Sequence, residues 1–431
     1  MERKIYNQFN QPVYHERLSN GLDVVLIPRR GFQKVYGILT SNYGSVDNQF
    51  IPLGGQQMVR VPDGIAHFLE HKLFEKADHD AFDLFGKLGA DSNAFTSYTQ
   101  TSYQFSTTQN IQENLATLLD FVQTPYFSSA GVMKEQGIIG QEIRMYNDNP
   151  DSRLYTGALA NLYPNDPMSV DIAGTESSIA QITPALLMQC YQTFYQPFNL
   201  RLVVVGNIDI AETMTTVYES QKEHATIIRS IHRAPLISDE QGTDVLSKGR
   251  IRMAVQRPKA MVAIRGLEQI ADDRERLRYK LACELMLEMI FDDTTSNYLR
   301  LYNQHIIDDS FGFSFEMERG FHFATISSDT DDPQRFIDEI EDVLQSATNH
   351  LDVMKNEFLA TKRAAIGRVI MSLNSPETIA NRYSSALFGN LNVFDEIDLL
   401  QAIQLDDLYQ SCQQFIQPHC WTNFVIEPLK M

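Results

Sequence analysis

The sequence predicts an α+β protein of two halves, each with a mostly antiparallel β-sheet packed against helices. The chain has 431 residues, enough for about two to four domains. Hydrophobic residues make up 43% and charged residues 21%, so a buried core can offset the entropy cost of folding. One order of strands and helices also occurs twice. We place an N-terminal domain at residues 1–225, a polar linker at 226–250 and a C-terminal domain at 251–431.

The first half begins with two β-rich runs at 22–27 and 35–41, which flank a polar turn and predict a hairpin-like pair. Pro62-Asp63-Gly64 is a start signal for a helix over 64–75, because no proline interrupts the following residues. The remaining predicted elements of this half are helices at 81–88, 109–123 and 131–146, strands within 92–107, and a buried strand at 201–206.

The second half repeats this order after the polar linker. A β-rich run at 252–264 precedes a long helix at 272–291, and two strands and two helices follow. These later elements are predicted at 310–318, 321–328, 333–348 and 353–373.

Charge and cysteine content exclude several classes of protein. Lys and Arg number 36 against 55 Asp and Glu, a net charge of −19, which is the wrong sign for a protein that binds nucleic acid. The four cysteines are scattered without a CxxC pair, so we expect reduced thiols rather than disulfides or a cysteine zinc site. The sequence predicts neither a signal peptide nor a membrane span, and a cytoplasmic protein is expected.

The strongest local motif is His67-Phe68-Leu69-Glu70-His71. On the predicted helix the two histidines are one turn apart and differ by about 40° in direction, so both rings can reach one ion. Glu70 lies on the same side and can accept a proton from water at the metal. This H-x-x-E-H order is the inverse of the zincin motif. The alternative is a helix whose two histidines only form hydrogen bonds.

A catalytic zinc site needs a third protein ligand. Glu135 and Glu142 are seven residues apart on the predicted 131–146 helix and therefore share one face. Either could bind the metal while the other supports a ligand. The alternative is that both are solvated surface glutamates.

These motifs, with Gly44-Ser45, Asn93-Ala94-Phe95-Thr96 and Tyr103, resemble the M16 family of inverzincin peptidases. The two-halved layout is similar to the compact bacterial processing-protease-like group. The resemblance implies a LuxS/MPP-like metallohydrolase fold and a Zn²⁺ cofactor. It further implies the roles of five residues: His67, His71 and Glu142 as zinc ligands, Glu70 as the base that activates water, and Glu135 as an accessory catalytic acid.

The resemblance also implies a binding site for a peptide substrate. Asn93, Ala94, Phe95 and Thr96 would form a sheet edge to which an extended peptide adds as a strand; the alternative is an ordinary interior strand. Arg382 and Tyr383 would hold the substrate carbonyl and the oxyanion. As neighbours on a helix they point about 100° apart. The alternative is that both are plain helix-surface residues and that a partner chain supplies these contacts.

The predicted function is that of a zinc-dependent endopeptidase that cleaves peptides or unfolded segments. The second half carries Glu284 and Glu288 on its long helix without histidines, so we expect an inactive copy that closes over the site. Two alternatives remain: a non-catalytic scaffold of the same fold, and a catalytic subunit that requires an inactive paralogue. A homodimer or a heterodimer with such a paralogue is expected.

Overall fold

The computed structural model describes residues 1–224, 230–239, 241–350, 354–384 and 387–429. Their strands form a seven-stranded sheet, a five-stranded sheet and a two-stranded ribbon. The strands are β1 (Glu2–Tyr6), β2 (Gln11–Arg17), β3 (Asp23–Pro28), β4 (Val35–Ser41), β5 (Gln49–Phe50), β6 (Val59–Arg60), β7 (Ala90–Thr96), β8 (Thr101–Thr107), β9 (Leu200–Gly206), β10 (Lys248–Met253), β11 (Lys259–Arg265), β12 (Gly312–Glu318), β13 (Phe321–Asp329) and β14 (Trp421–Pro428).

Helices cover both sheets. They are α1 (Ile65–Phe74), α2 (Ala81–Leu88), α3 (Ile111–Gln123), α4 (Ser129–Asp148), α5 (Pro150–Leu162), α6 (Glu176–Ile179), α7 (Pro184–Phe194), α8 (Ile210–Ser220), α9 (Asp273–Phe291), α10 (Ser296–Asn303), α11 (Pro333–His350), α12 (Lys355–Ser372), α13 (Pro376–Ser384), α14 (Val393–Ala402) and α15 (Leu405–Phe415).

The first sheet has the strand order β1-β2-β3-β9-β4-β8-β7. The hairpin-like pairing predicted for β3 and β4 is wrong, because β9 lies between them, parallel to β3 and antiparallel to β4. The valine-rich run Leu202–Val205 in β9 is buried, which is typical of a strand covered on both faces and explains its central position.

The second sheet repeats this topology in the order β10-β14-β11-β13-β12. β10 is parallel to β14, and the other pairs are antiparallel. The predicted α+β architecture in two halves is therefore confirmed.

Some predicted boundaries differ from the structure. The β-rich run at 252–264 is two strands, and β10 begins at Lys248, inside the predicted linker. Residues 226–229 and 240 of that linker, and Val353 at the predicted start of α12, lie outside the described residues. The assignment of 226–250 as the domain boundary stays a prediction.

Each half contributes one helix to the sheet of the other. α5 packs on β11 and β14, and α13 packs on β4 and β9. We predicted that the segment around Pro150 ends a helix; it also begins α5, because the Asn149 side chain accepts hydrogen bonds from the Asp151 and Ser152 amides. Gly157 allows α5 to lie close to the second sheet, since a Cβ there would be 2.3 Å from the Phe424 ring.

α1 holds the H-x-x-E-H motif in place. Gly64 precedes it with φ of +88°, and a Cβ at Gly64 would lie 2.4 Å from the Ala173 carbonyl oxygen, so this helix start requires glycine. Phe68, Leu69 and Leu73 are buried in the core of the first half. Because these residues anchor one face of α1, the remaining face is turned toward α4 and β7.

Two further expectations concern the whole chain. The four cysteines are buried free thiols, as predicted. Among the helices that the structure describes, each is too short or too polar to cross a bilayer.

Candidate metal centre

The two histidines of the motif meet at the surface of α1. The ring centroids of His67 and His71 are 4.6 Å apart, as the one-turn spacing predicts. Most of the His67 side chain is buried, at 12% exposure, whereas His71 is 26% exposed. The pair therefore lies at the floor of an accessible cleft rather than in the core.

Glu142 of α4 faces both rings. Its Oε1 lies 3.7 Å from His67 Nε2, and its Oε2 lies 3.7 Å from His71 Nε2. The three residues offer ligand atoms that all lie within 4.8 Å of one another. α4 thus places Glu142, which is far from the two histidines in the sequence, next to both rings.

This arrangement fits a divalent metal ion. Two ligand atoms bound to a tetrahedral zinc ion are about 3.4 Å apart, so small side-chain movements are sufficient for His67, His71 and Glu142 to share one ion. At 3.7 Å these atoms are too far apart for hydrogen bonds between them. Two imidazoles and one carboxylate, with a position left for water, are the donor set of catalytic zinc sites.

The protonation of the histidines also suits metal binding. Burial, with a smaller contribution from nearby His71, lowers the pKa of His67 to about 3, so its ring is neutral at pH 7. Burial lowers the pKa of His71 as well, but the hydrogen bond to Glu135 and three nearby carboxylates outweigh it and raise this pKa overall. A metal ion would compete with that proton.

Glu135 lies behind His71. The Nδ1 of His71 donates a hydrogen bond of 3.0 Å to Glu135 Oε1. This contact fixes the ring and leaves Nε2 free for a metal. The structure therefore places Glu135 as the partner of a candidate metal ligand, whereas His67 Nδ1 is buried without a hydrogen-bond partner.

Glu70 lies beside the candidate ligands and is hydrogen-bonded by a residue of β7. The Thr96 hydroxyl donates a 2.6 Å hydrogen bond to Glu70 Oε2. Burial raises the pKa of Glu70, while this hydrogen bond and His71 oppose the increase. A buried carboxylate with a raised pKa next to a metal position can exchange protons with water.

β7 borders the cleft, which has a volume of about 770 Å³ and is lined by the three candidate ligands, Glu70 and residues of β7. Within the described residues β7 is the last strand of its sheet and pairs on one side only, with β8. Ala94 packs against the hydrophobic core on the α1 side of the first sheet, the side to which Thr96 also points in its contact with Glu70. Phe95 packs against the core on the other side of this sheet, which includes residues of the second half. Asn93 is exposed in this edge strand.

The structure does not bring Arg382 and Tyr383 to this cleft. Arg382 pairs with Glu396 of α14 and lines a different cavity. Tyr383 is 6% exposed, and its backbone carbonyl accepts a hydrogen bond from Arg201. Both residues therefore lie outside this cleft, because α13 packs on the first sheet, a tertiary contact that its sequence does not reveal. The expectation that they hold the substrate stays a prediction.

The second half does not close over the cleft as expected. The described residues that line it belong to 67–173, all in the first half. On the equivalent helices of the second half, Glu288 of α9 pairs with Arg368 of α12. An ion pair between these helices thus replaces the histidine and glutamate cluster.

Two contacts at this site were not predicted from the sequence. Thr96 was expected to bind substrate, yet its hydroxyl contacts Glu70. Tyr146 lines the cleft beside Glu142, and burial together with that carboxylate raises its pKa. The spacing of four residues between Glu142 and Tyr146 could have indicated the second contact.

The fold and the site together define a two-domain protein of the metallopeptidase class. Residues 57–176 match the profile of insulinase (peptidase family M16), and residues 181–365 match that of the peptidase M16 inactive domain. The chain belongs to peptidase family M16.

Similar proteins agree with this assignment. The chain is 45% identical over 412 residues to the uncharacterized zinc protease YmfH of Bacillus subtilis, covering 95% of each protein. It resembles the crystal structure of a protein described as M16-like peptidase from Alicyclobacillus acidocaldarius with a TM-score of 0.91 and 30% identity, covering 97% of this chain and 99% of the other. A protease from Helicobacter pylori shares the fold with a TM-score of 0.83 at 16% identity, covering 96% and 99%.

Proposed function

We propose that this protein is a zinc-dependent endopeptidase that cleaves peptides or unfolded segments. The observation that carries the proposal is the convergence of His67, His71 and Glu142 next to Glu70 in a cleft bordered by an edge strand. The zinc protease YmfH, similar over nearly the whole chain, supports the choice of metal.

His67, His71 and Glu142 would hold the ion, with Glu135 orienting His71. When bound, Zn²⁺ supplies Lewis-acid polarisation of a carbonyl oxygen and acidifies water. Glu70 removes a proton from the attacking water and returns it to the leaving amine nitrogen. Thr96 holds one carboxylate oxygen of Glu70 and leaves the other for this transfer.

The substrate would bind as a strand added to the free edge of β7. Unpaired backbone N–H and C=O groups of an edge strand can pair with an extended peptide of almost any sequence. Asn93 to Thr96 run alongside the metal position in the cleft. A peptide held there presents its backbone carbonyl groups, rather than a folded surface, to the catalytic residues.

Metal analysis combined with cleavage of an unbiased peptide mixture tests this function. We expect bound zinc and many cleaved peptides, with activity lost on chelation and restored by zinc. Zinc-loaded protein that leaves the whole mixture intact would favour the non-catalytic scaffold.

One observation favours a second form of the proposal, in which a partner chain is required. The described cleft lining comes from the first half alone, and Arg382 and Tyr383 lie elsewhere, so the contacts expected for the substrate carbonyl would come from a second copy or a paralogue. Specific activity that falls on dilution, in parallel with dissociation measured by ultracentrifugation, would support this form. The cytoplasmic location stays a prediction.

A further inference from the structure

β7 separates two cavities. The first is the metal cleft, and the second, which we call the far cavity, has a volume of about 360 Å³ and is lined by Phe95 of β7 together with residues of the second half. Phe95 lines both cavities and packs against the larger hydrophobic core, which combines the second half with the face of the first sheet opposite to α1. The far cavity is therefore built from both halves of the chain.

A peptide added to β7 would reach both cavities. Side chains of a strand alternate between the two faces of a sheet, and residues opposite each other on neighbouring strands have Cβ atoms about 5 Å apart on the same face. Because Thr96 points to Glu70 and Phe95 packs on the face of the first sheet opposite to α1, a substrate residue opposite Phe95 directs its side chain into the far cavity.

The far cavity has apolar walls and an excess of negative charge. Met317 and Phe388 contribute apolar surface. Of its charged residues, Lys280 pairs with Glu284, and Arg382 pairs with Glu396. The remaining carboxylate is Glu318, the last residue of β12, which accepts a hydrogen bond from the neutral Thr99 hydroxyl.

We propose that the far cavity is a substrate subsite that accepts an Arg or Lys side chain, with Glu318 as its counter-charge. The aliphatic part of such a side chain covers the apolar wall while its cationic end reaches the carboxylate. This inference rests on the proposed binding of a peptide along β7 and assigns a role in specificity to the half without metal ligands.

Binding can be measured apart from cleavage with the Glu70→Gln protein. The probes are short fluorescent Ala/Ser/Thr peptides that differ only in their central residue: Arg, Lys, norleucine or Glu. Norleucine matches the apolar stem of Lys without its charge. We expect the Arg and Lys peptides to bind about tenfold more tightly than the norleucine peptide, and the Glu peptide to bind most weakly.

Two substitutions with opposite charge effects test the role of the cavity. In the Glu70→Gln protein, a second substitution, Glu318→Gln, keeps an acceptor for the Thr99 hydroxyl but removes the negative charge. The preference for the Arg peptide over the norleucine peptide should therefore fall to about twofold or less. Lys280→Gln removes a cation and should increase this preference. Glu219→Gln is the matched control and should change nothing, because Glu219 of α8 lies in an exposed ion pair with Lys222, outside the cavity.

Equal binding of the Arg and norleucine peptides, or a preference that survives Glu318→Gln and ignores Lys280→Gln in folded proteins, would overturn the subsite. Cleavage of the same peptides by the unsubstituted protein is a separate measurement. Selective binding without cleavage would support the subsite and contradict the proposed peptidase function.

Discussion

The two halves of this molecule share one topology but differ in chemistry. Both sheets contain the same order of five strands with one parallel pair. In the first half, α1 and α4 place His67, His71 and Glu142 around one point, whereas in the second half the equivalent helices are joined by the Glu288–Arg368 ion pair. The comparison teaches that the fold brings two helices together, and a few side chains between them decide whether a metal can bind.

The largest predicted effect is on kcat and comes from making the same Glu→Gln substitution on equivalent helices of the two halves. Glu70→Gln should lower kcat by about 10²- to 10⁴-fold, because the general base is lost, while zinc content stays nearly unchanged. His71→Ala should lose both zinc and activity. Glu288→Gln on α9 is the control and should leave kcat unaltered. Steady-state cleavage and metal analysis measure these changes, and parental activity in Glu70→Gln would refute its role.

Much of this contrast could be predicted from the sequence, because the motif is local. The spacing of His67, Glu70 and His71 within one helix fixes their geometry wherever that helix lies. Glu142 is different: spacing alone leaves it equal to Glu135, and only the family resemblance separates them. The structure then shows Glu142 facing both rings and Glu135 hydrogen-bonded behind His71.

The failures of prediction concern long-range packing. The segments of β3 and β4 were recognised as strands, but nothing local indicates that β9 inserts between them. Likewise, the sequence of α13 does not reveal that it packs on the sheet of the first half. For that reason the sequence does not show that Arg382 and Tyr383 lie outside the metal cleft.

Metal stoichiometry sharpens the comparison. We expect one zinc per chain rather than two, because among the described residues only His67, His71 and Glu142 form a cluster able to hold a metal ion. Glu135→Gln should weaken zinc affinity about 10- to 100-fold, since the hydrogen bond that orients His71 is altered. Competition with a chromophoric chelator measures this affinity. Arg368→Gln should leave it unchanged, and two equivalents of tightly bound zinc would contradict the asymmetry of the halves.

The packing of α5 of the first half on the second sheet can be disturbed by adding one methyl group. Gly157→Ala places a Cβ 2.3 Å from the buried Phe424 ring, and the ring must move, so the free energy of unfolding should fall by about 1–3 kcal/mol. Gly137→Ala on α4 is the control, because a Cβ there has no heavy atom within 4 Å; it should raise stability by up to about 1 kcal/mol. Denaturant unfolding measures both, and equal effects would mean that α5 does not pack closely on the second sheet.

The smallest predicted effect compares the last residues of the two equivalent edge strands. Thr96 ends β7 and donates to Glu70, while Glu318 ends β12 and accepts from Thr99. Thr96→Val keeps the shape but removes the hydroxyl, so Glu70 loses a charge-assisted hydrogen bond and kcat should fall about tenfold. Zinc affinity should stay constant, because Thr96 contacts the base and not a ligand.

A merely structural role of Thr96 would give a different pattern. Thr96→Ser retains the hydroxyl and should restore most of kcat, whereas a loss caused by strand packing would persist, because Ser lacks the methyl group. Ser92→Ala is a matched control: Ser92 lies on the same face of β7 but about 13 Å away along the strand, too far to reach Glu70. If Thr96→Val and Ser92→Ala lower kcat equally, the hydroxyl of Thr96 does not orient the base, and β7 acts on catalysis only as an edge for the substrate.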